Sequence, residues 1–386
     1  MKKILFILIA SIWSYGSYIT EPLDVIDIVA PPKVIMTKLS EIANDISYIP
    51  LETNENALIE RIISLRVEGN YIYIATLYNI LCYSKSGKFL YSLDKYGRGP
   101  DEYEFLLDFD VNTNNTILAI PSRKHIVLYK QSDEGFTFLK RINIFDSTIK
   151  IDFVGKSDNL LVQYANSDGL NKYSRQLIDI DGKVLSSWPN YMMYKKTNPN
   201  VRVTFAFENT SYKFQDNLFI KLIGNDTIFR FNEKNTFGSF LVFNKKDKKV
   251  TPELRANTKY FSEHYKDYII MEKIFGSARF FYYTYEYSGK IHHEIYDQLK
   301  EIRYGVPQDV FLKDDISGGV NFEPEYSNDG LLYSWIEPLK LKEFVAKDSW
   351  GKIKVLHPEK KTALKKLADS LDDFDNPVLI MVKFNE

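Results

Sequence analysis

Three aspartates carry the most suggestive chemistry in the sequence. Asp108 and Asp110 stand two residues apart in the run from Phe105 to Val111, a spacing that puts both carboxylates on one face of a β-strand. Asp152 lies in the comparable run from Ile149 to Val154. Together they could make an acidic ring in an axial channel, suited to a divalent cation such as calcium or to sugar hydroxyls. The same residues read equally as solvated groups of a water-filled tunnel. Upstream, Gly97-Arg98-Gly99-Pro100-Asp101 could pass for a phosphate loop, but it lacks the third glycine and no helical pattern follows it. The glycines instead predict positive φ and Pro100 a fixed exit, so the segment reads as a crossover between strands. Arg98 and Asp101 would then project from a loop near a channel mouth, where ligand contacts gather.

The remaining reactive residues form weaker patterns. His292 and His293 are adjacent, so in a strand they face opposite ways and cannot easily share an ion. His293-Glu294 begins a metalloprotease-like string, but Asp297 stands where the second histidine belongs. Cys82, in the apolar run Ile80-Leu81-Cys82-Tyr83, reads as a buried, inert thiol. The run from Phe280 to Tyr287 places rings on both faces of a strand; stacked sheets bury both faces, which favours core packing over a carbohydrate-stacking surface. No Ser-His-Asp set follows from spacing, so no catalytic residue and no metal ligand is assigned. With 50 Lys plus Arg against 51 Asp plus Glu, a formal net charge of −1, the chain lacks the basic footprint of a nucleic-acid or anionic-membrane binder.

The elements that must position these residues are strands. The 386 residues hold 26 Phe, 27 Tyr and 4 Trp against 18 Gly and 14 Pro, a composition that builds cores and excludes a disordered chain. Short β-branched and aromatic runs alternate with Asn, Asp, Gly and Ser turns. A first unit runs from Ile62 to Leu93, a second from Phe105 to Ile144, a third from Ile149 to Trp188. A fourth spans Val201 to Phe243, a fifth, rich in aromatic residues, Tyr268 to Tyr296, and a sixth Val310 to Val345. Six units of about 47 residues match the period of propeller blades. Two helical insertions are expected, near 252–265 and 358–374. Ile46 to Leu51 and Val378 to Phe384 are strand-like runs without local partners, and both are expected to complete the sixth unit and close the ring. At the start, Lys2 and Lys3, the apolar run from Ile4 to Ala10 and Ser14-Tyr15-Gly16 predict a signal peptide over 1–16, cut before Ser17.

Several short motifs carry a family likeness. Gly87-Lys88-Phe89-Leu90-Tyr91-Ser92-Leu93, followed by Tyr96-Gly97-Arg98-Gly99-Pro100-Asp101-Glu102-Tyr103, looks like the inter-blade passage of NHL-type propellers. Ile46-Ser47-Tyr48-Ile49-Pro50-Leu51-Glu52-Thr53, Asp314-Asp315-Ile316-Ser317-Gly318-Gly319, Phe322-Glu323-Pro324 and Asp375-Asn376-Pro377-Val378-Leu379-Ile380 extend the likeness over residues 38–386. In this ordered set the chain resembles the exported six-bladed β-propeller family of uncharacterised proteins abundant in Bacteroidetes. The resemblance implies an all-β fold: a six-bladed β-propeller of four-stranded antiparallel blades, with short accessory helices, as one domain over 17–386. It also implies an envelope location, periplasmic or extracellular. Many members look like lipoproteins, and this chain lacks a leader cysteine, so anchoring does not carry over.

The expected function is non-enzymatic binding of a glycan, a peptide or a partner protein at the channel mouth, by a monomer without cofactor. Arg98, Asp101, Asp108, Asp110 and Asp152 are the candidate ligand-binding residues. The alternative is a metal-dependent hydrolase, lactonase or lyase whose cation the channel carboxylates hold.

Overall fold

In Tyr71–Ala75 and Ile80–Ser84 nearly every side chain is apolar and buried, so a solvent-facing sheet is impossible and each face must find another sheet. The computed structural model describes residues 24–385 apart from 115, 123, 146–147, 199, 201–208, 223 and 233–234; the expected leader and the first residues of the expected fourth unit lie outside the described residues. Ser64–Glu68, Tyr71–Ala75, Ile80–Ser84 and Phe89–Leu93 form a four-stranded antiparallel sheet, with Leu65 opposite Ile74 and Tyr73 opposite Cys82. The period of two then sorts its residues. Tyr73, Ala75, Ile80 and Cys82 pack with Leu118, Ile120, Val127 and Tyr129 of the next sheet. Ile72, Ile74, Leu81 and Tyr83 pack the other way, with Tyr333 and Leu379 from the end of the chain. Burial pushes the Cys82 thiol up to about 12, in keeping with an inert side chain.

The same arrangement continues around the molecule. Asp110–Val111, Ile117–Ser122, His125–Ser132 and Gly135–Asn143 form the second sheet, and Thr148–Phe153, Leu160–Tyr164, Tyr173–Ile178 and Val184–Pro189 the third. Ala119, Ile126 and Leu128 meet Ile151, Phe153 and Val162 between them, and Leu161 and Leu177 meet Leu218, Ile220 and Phe231 beyond. A five-stranded sheet holds Ile270–Gly276, Phe280–Tyr287, Lys290–Asp297, Ile302–Val306 and, parallel at its edge, Val34–Ile35. Sheets stacked face to face in succession, each beginning near a common axis, are the architecture of a propeller.

The expected set of six separate four-stranded blades needs correction. The strands form five hydrogen-bonded sheets, three with four strands, one with five and one with nine. In the nine-stranded sheet Thr210–Phe214 and Tyr326–Asn328 approach closely enough to pair in parallel at Lys213 and Asn328, which fuses two antiparallel meanders into one. The N-terminal segment adds further strands: Asp24–Asp27 runs parallel to Phe237–Asn244, as Val34–Ile35 does beside Ile302–Val306. Both cover outer edges that would otherwise be open.

Ring closure follows the expected course. Val378–Phe384 lies between Leu331–Ile336 and Ala43–Pro50, with Val378 opposite both Ile336 and Pro50. Asn376 locks the seam: its Nδ2 donates to the carbonyls of Glu52 and Ala57, and its Oδ1 accepts from Ile59 N at 2.9 Å. Pro358–Ser370 is helical as expected, burying Leu364 and Ala368. Pro338–Val345 is also helical, against the expectation of a sixth strand unit running to Val345. Pro338 at the first turn and the i, i+4 pair Leu341 and Val345 explain it, and these residues pack on Leu364, Ala368 and Trp350. The insertion at 252–265 divides into Pro252–Ala256, capped by Thr251 Oγ1, and Thr258–His264, capped by Asn257 Oδ1.

Candidate functional site

Two inner strands and the segment that leads into Asp110–Val111 bring Asp108, Asp110 and Asp152 together, all buried. They do not form an acidic ring. Arg66, from Ser64–Glu68, places Nη2 2.5 Å from Asp108 Oδ1 and Nε 3.4 Å from Asp110 Oδ1. Lys213, from Thr210–Phe214, places Nζ 2.7 Å from Asp110 Oδ2. Asp108 Oδ2 accepts from Ile151 N at 3.0 Å and Asp110 Oδ2 from Phe153 N at 2.7 Å, so both carboxylates lace the first strand of the neighbouring sheet. Asp152 accepts from Ser211 Oγ at 2.7 Å and from Gln163 Nε2 at 3.1 Å. Every carboxylate oxygen of the three therefore already has a protein donor or cation. Such a donor set does not fit a cation cage, and among the described residues no three His, Cys, Asp or Glu side chains gather closely enough to hold a metal ion.

Electrostatics matches the geometry. Burial foremost raises the Asp152 carboxyl above its ordinary value; Lys150 opposes this, and the charges of Asp110 and Asp108 add to it. Burial alone would depress the Arg66 guanidinium, but the carboxylates around it, Asp108 first, more than offset that and raise it. The Arg66 guanidinium also lies over the rings of Phe109 and Tyr326, at 5.2 and 5.6 Å from their centres.

This layer divides the channel. On one side opens a funnel of about 600 Å³, walled by the beginnings of the inner strands, among them Arg66, Lys150, Lys273 and Tyr326, with Trp335 and Leu107 beside them. On the other side a cavity of about 560 Å³ is lined by the first turns after those strands, including Gly69, Gly155, Asp216 and Asp329. Lys213 is the residue common to both walls.

Arg98 and Asp101 do not reach the funnel wall. Asp101 pairs with Lys95 Nζ at 2.8 Å while its carbonyl accepts from Tyr129 Oη at 2.7 Å, and Arg98 lies on the same loop. The expected positive φ at Gly97 and Gly99 is absent. Their smallness answers a close approach instead: the Glu102 carboxylate folds back over both, accepting from Gly99 N at 2.6 Å, and Arg141 Nη2 clamps the carbonyls of Gly99 and Glu102 at 2.8 Å each. The strand expected from Phe105 to Val111 is limited to Asp110–Val111; just ahead of it Glu104 N donates to Ser122 Oγ at 2.9 Å and the Asp108 side chain accepts from Ile151 N, bonds to other elements in place of a sheet ladder.

The other singled-out residues serve packing. Phe280, Phe281, Tyr282, Tyr283 and Tyr285 are buried. Glu294 accepts from Tyr283 Oη at 2.5 Å and Tyr285 Oη at 2.7 Å and pairs with Arg303 at 2.8 Å. His293 meets Tyr282 Oη through Nδ1 at 2.7 Å, and burial pushes it down to about 4. Sequence reasoning missed Arg66, Lys150, Lys213, Lys273 and Trp335. A signal was present: Ser64 and Arg66, Lys150 and Asp152, Ser211 and Lys213 repeat the two-residue spacing of Asp108 and Asp110, so alternate positions of every such strand are polar where a core strand would be apolar.

Residues 23–383 match the family described as Domain of unknown function (DUF4934), and the chain belongs to that family. Among solved structures, the chain is similar to a protein of Bacteroides fragilis NCTC 9343 named as a candidate exported protein. Identity is 19%, coverage 92% of this chain and 99% of that chain, and the TM-score 0.66. A DUF4221-family member from Bacteroides vulgatus ATCC 8482 aligns at 10% identity over 89% of this chain and 97% of that chain, with a TM-score of 0.50. These likenesses show a shared fold, which the stacked sheets of this chain identify as a propeller. No curated protein matches. Among the described residues no helix is long and apolar enough to cross a membrane.

Proposed function

We propose that this chain is an exported, non-enzymatic propeller that binds a glycan, peptide or partner protein in the funnel at one mouth of its central channel. The observation that carries this reading is the funnel itself: about 600 Å³, within the size range of about 300–1,000 Å³ of small-ligand sites, and walled by charged and aromatic side chains on rigid inner strands. Export is supported by the leader-like pattern from Lys2 to Gly16 and by the name of the Bacteroides fragilis relative. We read the nine-stranded sheet as two blades in contact, which counts six units around the axis. Arg98 and Asp101 are proposed only as outer contacts for a ligand that overhangs the mouth; Asp108, Asp110 and Asp152 shape its floor.

The rival reading is a metal-dependent hydrolase, lactonase or lyase in the channel. Full engagement of the Asp108, Asp110 and Asp152 oxygens by protein donors favours binding over it. Thermal melting of the mature protein against glycan and peptide panels, with elemental analysis of the same sample, separates the two. A saturable upward shift without a stoichiometric cation supports binding; a stoichiometric cation together with turnover of an ester or lactone would replace this reading with the enzyme. N-terminal sequencing from the cell envelope is expected to begin near Ser17, and recovery of Met1 would remove export from the proposal.

A further inference from the structure

Within the funnel the polar groups are unequally committed. Lys150 Nζ stands 3.8 Å from Asp108 Oδ1 and 3.9 Å from Asp152 Oδ1, close enough for attraction but beyond hydrogen-bond reach. Its side chain is 16% exposed and lines the funnel, so an ammonium with three donors meets the funnel without a protein hydrogen-bond acceptor among the described residues. Such a group demands an acceptor from the funnel. Across the wall Lys273 Nζ holds Glu325 at 2.8 Å, leaving the outer carboxylate lone pairs able to accept, and Trp335 is half-buried in the same wall beside Phe275 and Tyr326.

From these groups we infer that the funnel takes a neutral saccharide of more than one sugar unit, with Trp335 as the stacking platform and Lys150 as a hydroxyl-directed donor; this rests on the funnel being the binding site. The wall carries five cationic and six acidic side chains, a near balance that gives no net field to draw in a polyanion or polycation. The wall supplies both donors and acceptors, and a sugar hydroxyl both donates and accepts. A single pyranose would leave most of about 600 Å³ filled with water, whereas a short oligomer can span from Trp335 to Lys150. An apolar ligand would leave Lys150 desolvated and unpaired, and a peptide backbone offers no flat C–H face to an indole.

The test uses the full mature protein and neutral oligosaccharides of two to six units from gluco-, manno-, xylo- and galacto-series. Uronic-acid and sulfated oligomers and a random peptide pool serve as competitors. Titration is followed by tryptophan fluorescence and calorimetry. A neutral oligosaccharide is expected to bind and to change a signal that disappears in Trp335→Phe. Trp335→Ala and Lys150→Met are each expected to weaken it about tenfold or more, while Leu299→Asn, at an exposed site away from the channel, leaves affinity unchanged. Melting temperatures show which variants remain folded, and the milder Trp335→Phe keeps the test decisive if Trp335→Ala does not fold. Binding confined to peptides or charged oligomers, still lost in Lys150→Met, would overturn the saccharide but keep the funnel. Binding indifferent to both Trp335 and Lys150 would overturn the funnel as the site, and silence across the neutral series would overturn the saccharide.

Discussion

The two ends of the channel have nearly equal volume but are built differently. At the turn end several polar groups are taken up by the hairpins that expose them: Asp329 Oδ1 accepts from Gln215 N at 3.1 Å, Asn217 Nδ2 donates to Gln215 O at 2.7 Å, and Asn328 Nδ2 to Val67 O at 2.6 Å. Backbone there is in the left-handed region at Gly69, Gly155, Gln215, Asp216 and Asp329, as tight strand connections require. At the funnel end long crossovers replace tight turns, and the wall keeps side chains whose hydrogen-bond capacity the fold does not use. Equal cavities are thus unequal sites, because what a cavity can bind depends on which donors the fold has left over.

The largest expected effect comes from breaking the layer that separates the ends. Asp110 receives Arg66, Lys213 and Phe153 N while nearly fully buried, so Asp110→Ala leaves two cations facing each other without this counter-ion. A loss of about 3–5 kcal/mol is expected in urea unfolding. An unchanged midpoint would mean that the division of the channel does not depend on this carboxylate. A comparable loss is expected from deleting residues 376–386, because the strand that closes the ring and the Asn376 latch go together; a truncated chain that melts like the intact one would show that closure lies elsewhere.

A medium effect should appear at the turn end alone. Gly155 has φ of 56°, and a β-branched residue in that region costs about 1–2 kcal/mol. Gly155→Val is expected to lower stability by that amount and to leave funnel binding as it was. A change in ligand affinity would show that the two ends communicate through the Lys213 layer.

How much of this was legible in the sequence differs between strands and their connections. The period of two in Tyr71–Ala75 and Ile80–Ser84, and the unpartnered runs at Ile46 to Leu51 and Val378 to Phe384, specify stacked sheets and a shared closing unit, because each has only one way to bury both faces. Asp108, Asp110 and Asp152 were recognisable as neighbours for the same reason. Their partners were not: which cation meets Asp110 depends on Lys213, about a hundred residues away in sequence, and no local spacing encodes that approach. Gly97 and Gly99 show the converse difficulty, since a glycine can answer either a positive φ or a close neighbour, and only the position of Glu102 decides. The parallel contact at Lys213 and Asn328, likewise, depends on how tightly the inner strands crowd the axis.

A smaller effect sharpens the electrostatic side of the comparison. The folded Asp152 carboxyl titrates above its ordinary value of 3.8, chiefly through burial. A raised carboxyl contributes stability that is fully present below the unfolded value and is lost as pH rises through the folded one. Asp152→Asn keeps the acceptor for Ser211 and removes the buried charge, so its melting temperature relative to the native protein should be highest at neutral pH and fall back as pH drops toward the ordinary carboxylate range. A difference between the two proteins that does not vary with pH would show that Asp152 is no harder to ionise in the fold than outside it.

The smallest effect on stability is expected where the funnel meets solvent. Leu107 is 75% exposed yet belongs to the funnel wall, one residue before the carboxylate that anchors the floor. Little of its side chain is removed from water on folding, so Leu107→Ser should change unfolding free energy by no more than about 0.5 kcal/mol. The fold gives no reason for a large apolar side chain at such a position, whereas a ligand that covers the funnel mouth would bury it and draw on its surface. Leu107→Ser should therefore weaken ligand binding severalfold, read as a shift in the calorimetric midpoint, while the melting curve without ligand stays in place. If affinity is unaffected and the melting temperature falls instead, Leu107 belongs with the turn end in kind, as a residue that serves the scaffold, and the functional boundary of the funnel must be drawn deeper, at Trp335 and Lys150.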